Sequence, residues 1–235
     1  MIFLPLPKGS GFIIAEKEQK MKNIILNYDA FIFDMDGTIV DSLGVWEKID
    51  CEFLEKKRAI KVPEDYSTAI STMNFKETAD YTIKRFNLPD SPESLMEEWT
   101  EMAVYEYSHS LLLKDGVKEF FCELKKNNKK IALSTSSPEI FYKPLLINNG
   151  VYDLFDAFSD TNETGVGKKS PKVYLIAAEK CGAPPERCIV FEDVLEAAKT
   201  AKSAGFAVCG VSDGRSRVNK EQLKKLCDYY IEKFK

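Results

Sequence analysis

The fold is decided by the stretch Ala30-Phe31-Ile32-Phe33-Asp34-Met35-Asp36-Gly37-Thr38. Its first four residues are apolar and of strand length, and two carboxylates follow within three residues. A continuous apolar run is typical of a strand buried on both faces, as in a parallel sheet. Such sheets bind ligands beyond the carboxyl ends of their strands, so Asp34 and Asp36 stand where a ligand is expected.

Apolar runs alternate with helical patterns through the second half of the chain. Predicted strands cover 131–133, 188–191, 206–209 and 229–231, and predicted helices cover 117–127, 140–148, 171–181 and 194–204. This alternation predicts an α/β fold with a doubly wound, Rossmann-like parallel sheet.

The segment between the first strand and the rest of the sheet shows no strand pattern. Amphipathic helical patterns cover 43–58, 75–86 and 92–108 instead, separated by Pro63 and the 88–92 run. We therefore expect an inserted all-α cap at 41–113 over a core formed by 21–40 and 114–235. We also expect the cap to move as a unit and to select the substrate. Residues 1–20 are expected to be a loosely ordered N-terminal extension.

Composition excludes several classes of function. The 235 residues carry a net charge of −4 without any block of like charge, so no nucleic-acid partner is expected. The N-terminal apolar runs are too short for a membrane span, and no signal peptide is expected. The six cysteines form no CxxC pair and the lone His109 has no companion ligand, which argues against a zinc site. Spread cysteines of this kind favour a reduced, cytoplasmic protein.

Three further polar groups lie next to predicted strands and helices. They are Ser134-Thr135-Ser136-Ser137 after the 131–133 strand, Gly167-Lys168-Lys169 before a helix, and Glu192-Asp193 after the 188–191 strand. Hydroxyls and backbone N–H groups can hold phosphate, lysine can neutralise it, and paired acids can bind a hard cation. Taken singly, each group is explained as well by helix capping or by a solvated surface.

The carboxylates of the first group suit phosphoryl transfer. A carboxylate can attack phosphorus and form an aspartyl-phosphate, and a second carboxylate can protonate the leaving alcohol and later activate water. Gly37 lets the backbone approach a phosphate closely. The alternative is an ordinary Asp/Gly turn at the end of a strand.

In this order, the four groups resemble the motifs of the haloacid dehalogenase superfamily, in its phosphatase branch. The resemblance runs from about Asn23 to the C-terminus, and the helical insertion is similar to the cap of the beta-phosphoglucomutase and phosphoglycolate phosphatase subgroup. Thr135 matches the second-motif hydroxyl, with Ser134 as the other register, and Lys168 matches the third-motif lysine. The chain departs from the subgroup's usual pattern at Lys169, Val194 and Ala197, which replace Pro, Ser and Gly.

The resemblance implies Asp34 as nucleophile and Asp36 as general acid and base. It implies Mg²⁺ held by Asp34, the main-chain carbonyl of Asp36, Asp193 and, directly or through water, Glu192. The phosphate would be bound by four residues, namely Gly37, Thr135, Ser136 and Lys168. The expected partner is a small phosphorylated metabolite, and the expected state is a monomer or weak dimer without nucleic acid or membrane.

Two other functions are compatible with these residues. A sugar-phosphate mutase would need its cap to hold a second phosphate, usually through arginine, whereas 72–77 contains Asn74 and Lys76 but no arginine. These two residues are the candidate substrate contacts of the cap. A non-catalytic phosphate-binding or regulatory protein would have no use for a proton donor at Asp36. The sequence therefore favours a phosphatase.

Overall fold

The computed structural model describes residues 24–213 and 217–234. The described strands are β1 (Ala30–Phe33), β2 (Lys130–Thr135), β3 (Ala157–Asp160), β4 (Cys188–Glu192), β5 (Ala207–Val211) and β6 (Tyr229–Ile231). They form one sheet in the order β3-β2-β1-β4-β5-β6, and all neighbouring strands are parallel. The predicted doubly wound parallel sheet is confirmed.

Ten α-helices follow β1 in the described chain, four in the insertion and six after it. Those of the insertion are α1 (Leu43–Asp50), α2 (Tyr66–Ile70), α3 (Phe75–Phe86) and α4 (Pro92–His109). Those that follow are α5 (Val117–Lys126), α6 (Glu139–Asn148), α7 (Thr161–Thr164), α8 (Lys172–Cys181), α9 (Leu195–Ser203) and α10 (Arg217–Leu226). A short helical turn at 24–27 precedes β1.

Both faces of the sheet are buried, which explains the unbroken apolar run of β1. Phe31 and Phe33 point into one core, with helices α5 and α6 and the insertion, while Ala30 and Ile32 point into the other, with α8 and α9. Side chains alternate between the faces because the strand has a period of two. No helix among the described residues is both long and apolar enough to span a bilayer.

The strand register brings the motif-bearing ends to one level. Phe33 pairs with Leu133 of β2 and with Phe191 of β4. The residues that follow these three positions therefore emerge side by side at the carboxyl edge, and a crevice between helices on the two faces is the natural ligand site.

The insertion leaves and re-enters the core through two adjacent segments. Val40 forms a β-bridge with Leu113, and the Lys114 N–H donates to the Ile39 carbonyl at 2.8 Å. Inside the insertion, Phe53 and Phe75 pack on Trp99, with ring centroids 5.4 and 5.7 Å away. Phe53 and Trp99 belong to the same apolar cluster as Phe31 and Phe33 of β1, so the insertion packs against the core of the sheet as well as being joined to it at Val40 and Leu113.

Several elements differ from the sequence-based expectation. The edge strand β3 was not predicted, since Ala157-Phe158-Ser159-Asp160 is too short and too polar to show a periodicity. Helices α2, α7 and α10 were also not predicted. The helix expected over 43–58 changes after Asp50 into a π-helix, Cys51–Lys56. The expected N-terminal extension at 1–20 lies outside the described residues.

A buried carboxyl group in the insertion generates a stability prediction. Asp50 is only 8% exposed, and within the described chain its carboxylate meets no hydrogen-bond donor. Burial, with a smaller contribution from Glu47, raises the pKa of Asp50 to about 7. In the unfolded chain the group ionises near pH 4. Folding therefore carries no penalty from Asp50 below pH 4, and the full penalty above pH 7.

We expect Asp50→Asn to remove this pH-dependent penalty. Since one pH unit of pKa difference is worth about 1.4 kcal/mol, the variant should gain up to about 4 kcal/mol over the wild type between pH 4 and pH 8. Urea unfolding at both pH values measures the difference. Asp80→Asn, an exposed site in the same insertion, serves as the control, and a gain that did not grow with pH would contradict the prediction.

Candidate active site

The chain turns sharply after β1 and places both carboxylates of the first motif in the crevice. The Asp34 N–H still donates to the Phe191 carbonyl at 3.0 Å, so Asp34 is fixed by the sheet. Gly37 then adopts φ +84°, a left-handed conformation that suits glycine. A Cβ at Gly37 would overlap the Asp193 carboxylate, since it would lie only 2.8 Å from Asp193 Cγ.

Three buried carboxylates converge beside one buried lysine. Ligand oxygens of Asp34, Glu192 and Asp193 all lie within 4.8 Å of one another. Lys168 Nζ donates to Asp34 Oδ1 and, at 2.6 Å, to Glu192 Oε1. Burial alone would lower the pKa of Lys168, but Asp34 and Glu192 outweigh it and hold the pKa above its ordinary value. Lys168 is therefore charged in this site.

Hydroxyl groups that sequence reasoning missed orient two of these acids. Tyr174 OH donates to Glu192 Oε1 at 2.7 Å, and Thr38 Oγ1 donates to Asp193 Oδ1 at 2.9 Å. Thr38 stands in the first motif and could have been identified there. Tyr174 reads as an ordinary apolar helix position, and only its contact reveals it.

The carboxylate of Asp36 lies apart from the acidic triad and is held by three hydroxyls. Ser42 and Tyr107 donate to Oδ1, each at 2.5 Å, and Ser137 donates to Oδ2 at 2.6 Å. Burial raises the pKa of Asp36 even though these three hydrogen bonds oppose the rise. The expected contact of its main-chain carbonyl with a metal stays a prediction.

The second motif lies at the end of β2. Thr135 Oγ1 accepts a hydrogen bond from the Ser137 N–H at 3.0 Å, so the hydroxyl caps the turn that leads into α6. Ser134 Oγ and Ser136 Oγ are buried, and neither has a hydrogen-bond partner in the described part of the chain. The hydroxyl of Thr135, which only accepts a hydrogen bond in this turn, and the unpartnered hydroxyl of Ser134 could therefore each donate to a phosphate.

The insertion contacts the third-motif loop directly. The Lys168 N–H donates to the Thr72 carbonyl at 2.7 Å, and the Gly167 N–H donates to Glu77 Oε1 at 3.3 Å. Asn74, one of the two candidate substrate contacts, is buried and caps α3 through the Glu77 N–H at 2.7 Å. Lys76, the other, is exposed and lies 3.6 Å from Asp80. Their predicted contact with substrate stays a prediction.

The acidic triad fits a hard divalent cation. Burial, and then the charges of Asp34 and Glu192, raise the pKa of Asp193 well above its ordinary value. A cation between these oxygens would relieve that repulsion, and carboxylate oxygens are the ligands that Mg²⁺ prefers. The donors contain neither sulfur nor imidazole, in keeping with magnesium and not zinc.

Comparison with known proteins decides the family. The family model for haloacid dehalogenase-like hydrolases matches residues 28–205, which include all four motifs. The chain belongs to the haloacid dehalogenase-like hydrolases. The resemblance drawn from the four motifs is thereby confirmed, and the chain is an enzyme of this hydrolase family.

This hydrolase is similar in sequence to several phosphatases and in fold to a beta-phosphoglucomutase. A phosphorylated carbohydrates phosphatase from Thermotoga maritima is 27% identical over 193 residues, covering 80% of this chain and 89% of the relative. Hexitol phosphatase B from Escherichia coli K12 is 26% identical over 180 residues, covering 74% and 79%. The solved structure of beta-phosphoglucomutase from Clostridium difficile has a TM-score of 0.72 and 24% identity, covering 88% and 92%, and it shows the shared fold.

The close approach of Gly37 to Asp193 generates a second prediction. We expect Gly37→Ala to displace the Asp193 carboxylate and to weaken Mg²⁺ binding about 10–100-fold, as disturbed support of a ligand does. Backbone strain should cost about 1–2 kcal/mol in addition. Calorimetric titration of the whole protein with Mg²⁺ measures the first effect.

Gly182→Ala is the matched control. Gly182 also has a positive φ, +69°, but an added Cβ would meet nothing within 4 Å. It should show the backbone strain without any change in Mg²⁺ affinity. Equal affinities in the two variants would show that the approach of Gly37 to Asp193 has no part in the site.

Proposed function

We propose that this hydrolase is a Mg²⁺-dependent phosphatase that cleaves a small phosphorylated carbohydrate through an aspartyl-phosphate on Asp34. The observation that carries the proposal is the separation of two carboxylates from one motif. Asp34 lies in the acidic triad beside Lys168, whereas Asp36 lies among neutral hydroxyls. Two carboxylates in such different surroundings suit two different roles.

The first step forms the covalent intermediate. An Asp34 carboxylate oxygen attacks phosphorus, and the bond from phosphorus to the leaving oxygen breaks as Asp36 gives that oxygen a proton. Lys168 moves part of its hydrogen bonding from Asp34 to the phosphate oxygens. Ser136, the Thr135 turn and the backbone at Gly37 supply further donors to the phosphate.

The second step releases phosphate. Asp36, now ionised, takes a proton from water, the resulting hydroxide attacks phosphorus, and the bond between phosphorus and Asp34 breaks. Bound Mg²⁺ would offset the repulsion between the phosphate and the carboxylates of Asp34, Glu192 and Asp193. The insertion keeps bulk water away from both steps while it contacts the Lys168 loop.

The two arginines of the insertion favour a phosphatase over a mutase, because both are already paired with acidic side chains. A mutase needs a cation in the cap for a second phosphate, and arginine is the residue best shaped for it. Arg58 is bound to Asp90 and Glu98 at 2.8 and 2.9 Å, and Arg85 to Asp65 at 2.6 Å. Both arginines of the insertion are thus engaged elsewhere. The names of the phosphatase relatives support a sugar or polyol phosphate as the substrate class.

The proposal extends to the setting of the enzyme. Cys51, Cys122, Cys181, Cys188, Cys209 and Cys227 are all free thiols. Free thiols support a reducing compartment, and we place the enzyme in the cytoplasm as a monomer or weak dimer that acts on a diffusible metabolite.

The nucleophile is tested by Asp34→Asn. An amide cannot form the aspartyl-phosphate, so phosphate release from p-nitrophenyl phosphate should fall on the order of 10³-fold or more. Circular dichroism confirms that the variant is folded, and Asp153→Asn, an exposed site, should retain full activity. Substantial turnover by folded Asp34→Asn would refute the assignment.

The metal is tested by chelation and by Asp193→Asn. We expect EDTA to abolish turnover and added Mg²⁺ to restore it. Asp193→Asn keeps an acceptor for Thr38 but removes one negative charge, so the Mg²⁺ affinity measured by calorimetry should fall at least about 10-fold. Full activity in metal-free buffer would contradict the proposal, as would unaltered affinity in this variant.

A further inference from the structure

A second lysine lies at the same edge of the sheet as the acidic triad. Lys114 follows the β-bridge between Val40 and Leu113 and precedes α5. Its half-buried side chain donates through Nζ to the Gly37 carbonyl and, at 3.0 Å, to the Ser212 carbonyl. Gly37 belongs to the first motif and Ser212 directly follows β5, so these two carbonyls fix the ammonium group at the carboxyl edge.

Gly37 adjoins both the Lys114 ammonium and the Asp193 carboxylate. Its carbonyl accepts from Lys114 Nζ, and a Cβ added at Gly37 would lie only 2.8 Å from Asp193 Cγ. Burial lowers the pKa of Lys114, while the charge of Asp193 opposes that fall more than any other carboxylate does. In turn, Lys114 opposes the rise in the pKa of Asp193 that follows from burial and from the charges of Asp34 and Glu192.

Lys168 and Lys114 compensate different members of the triad. Lys168 Nζ donates to Asp34 and Glu192, whereas Lys114 is held beside the third acid by main-chain carbonyls, which carry no net charge. Carbonyl acceptors and nearby carboxylates both favour the ammonium form of a lysine. The carboxylates that act on Lys114 are those of Asp193, Asp41, Asp213 and Asp34.

We propose that Lys114 is a built-in counter-charge that sets the affinity of the acidic triad for a divalent cation. Its positive charge offsets part of the repulsion among Asp34, Glu192 and Asp193 in the metal-free protein, and the same charge repels a cation that enters. The inference rests on the Mg²⁺ site of the proposed function. It adds a residue that is neither a ligand of the metal nor a contact of the phosphate.

A purely structural role for Lys114 makes the opposite prediction. If Lys114 only tied the Gly37 turn to the end of β5, its loss would disturb the support of Asp193 and weaken Mg²⁺ binding. If its charge sets the affinity, its loss strengthens Mg²⁺ binding and destabilises the metal-free protein. The sign of the change in affinity therefore separates the two roles.

Two neutral substitutions test the charge. Lys114→Gln keeps an N–H donor for the carbonyls, and Lys114→Met keeps most of the length of the side chain without a donor. Both should bind Mg²⁺ about 3–10-fold more tightly than the wild type in calorimetric titration at low ionic strength. Both should also unfold at a lower temperature than the wild type without metal, and added Mg²⁺ should raise their Tm by more.

Two further variants serve as controls. Lys114→Arg keeps the charge and should keep the wild-type affinity for Mg²⁺. Lys202→Met removes the same charge from an exposed lysine that also donates to a main-chain carbonyl, that of Leu226 at 2.7 Å. Lys202 lies near the start of β5, at the opposite edge of the sheet, so its loss should leave the affinity unchanged.

The outcomes are distinct. Weaker or unaltered Mg²⁺ binding by the neutral variants would overturn the inference, as would tighter binding by Lys114→Arg. A neutral variant that folds only with Mg²⁺ would support it, whereas failure of both neutral variants to fold at any Mg²⁺ concentration would make Lys114 structural. A wild-type protein that bound no Mg²⁺ would overturn the metal site of the proposed function, and this inference with it.

Discussion

Burial of like charge is the constraint on which the site depends. Asp34, Glu192 and Asp193 lie within 4.8 Å of one another in a crevice almost closed to water, where unpaired charge is costly. Lys168 compensates part of that charge by contacting two of the three acids. The remaining negative charge makes the crevice receptive to a divalent cation. The conformation of Gly37 and the hydroxyls of Thr38 and Tyr174 keep the acids in this arrangement.

The insertion contacts the catalytic motifs at two separate points. Its Thr72 carbonyl accepts the N–H of Lys168, and its Tyr107 hydroxyl donates to Asp36. One contact supports Lys168, which pairs with Asp34, the proposed nucleophile, and the other supports Asp36, the proposed proton donor. The insertion therefore supports the surroundings of both Lys168 and Asp36.

The departures from the usual family pattern lie outside the acidic triad of Asp34, Glu192 and Asp193. Val194, where serine is usual, has no side-chain oxygen to cap α9, and its N–H lies 3.4 Å from Glu192 Oε2 instead. Ala197 is fully buried in the same helix. Lys169 lines a cleft of about 490 Å³ together with Glu77, Asp80 and Tyr81 of the insertion. This last departure thus faces the insertion and not the acidic triad.

The parallel sheet, the order of the four motifs and the place of the helical insertion could all be predicted from the sequence. These follow from local apolar periodicity and from the rule that ligands bind at the carboxyl ends of strands. The side chains that support the motifs could be identified only from contacts between residues distant in the chain. Tyr107 and Tyr174 have no local signal, because each contacts a carboxylate distant in the chain, Asp36 and Glu192 respectively. Strand β3 was also decided by pairing with β2, since a short edge strand is stabilised by its neighbour and not by its own residues.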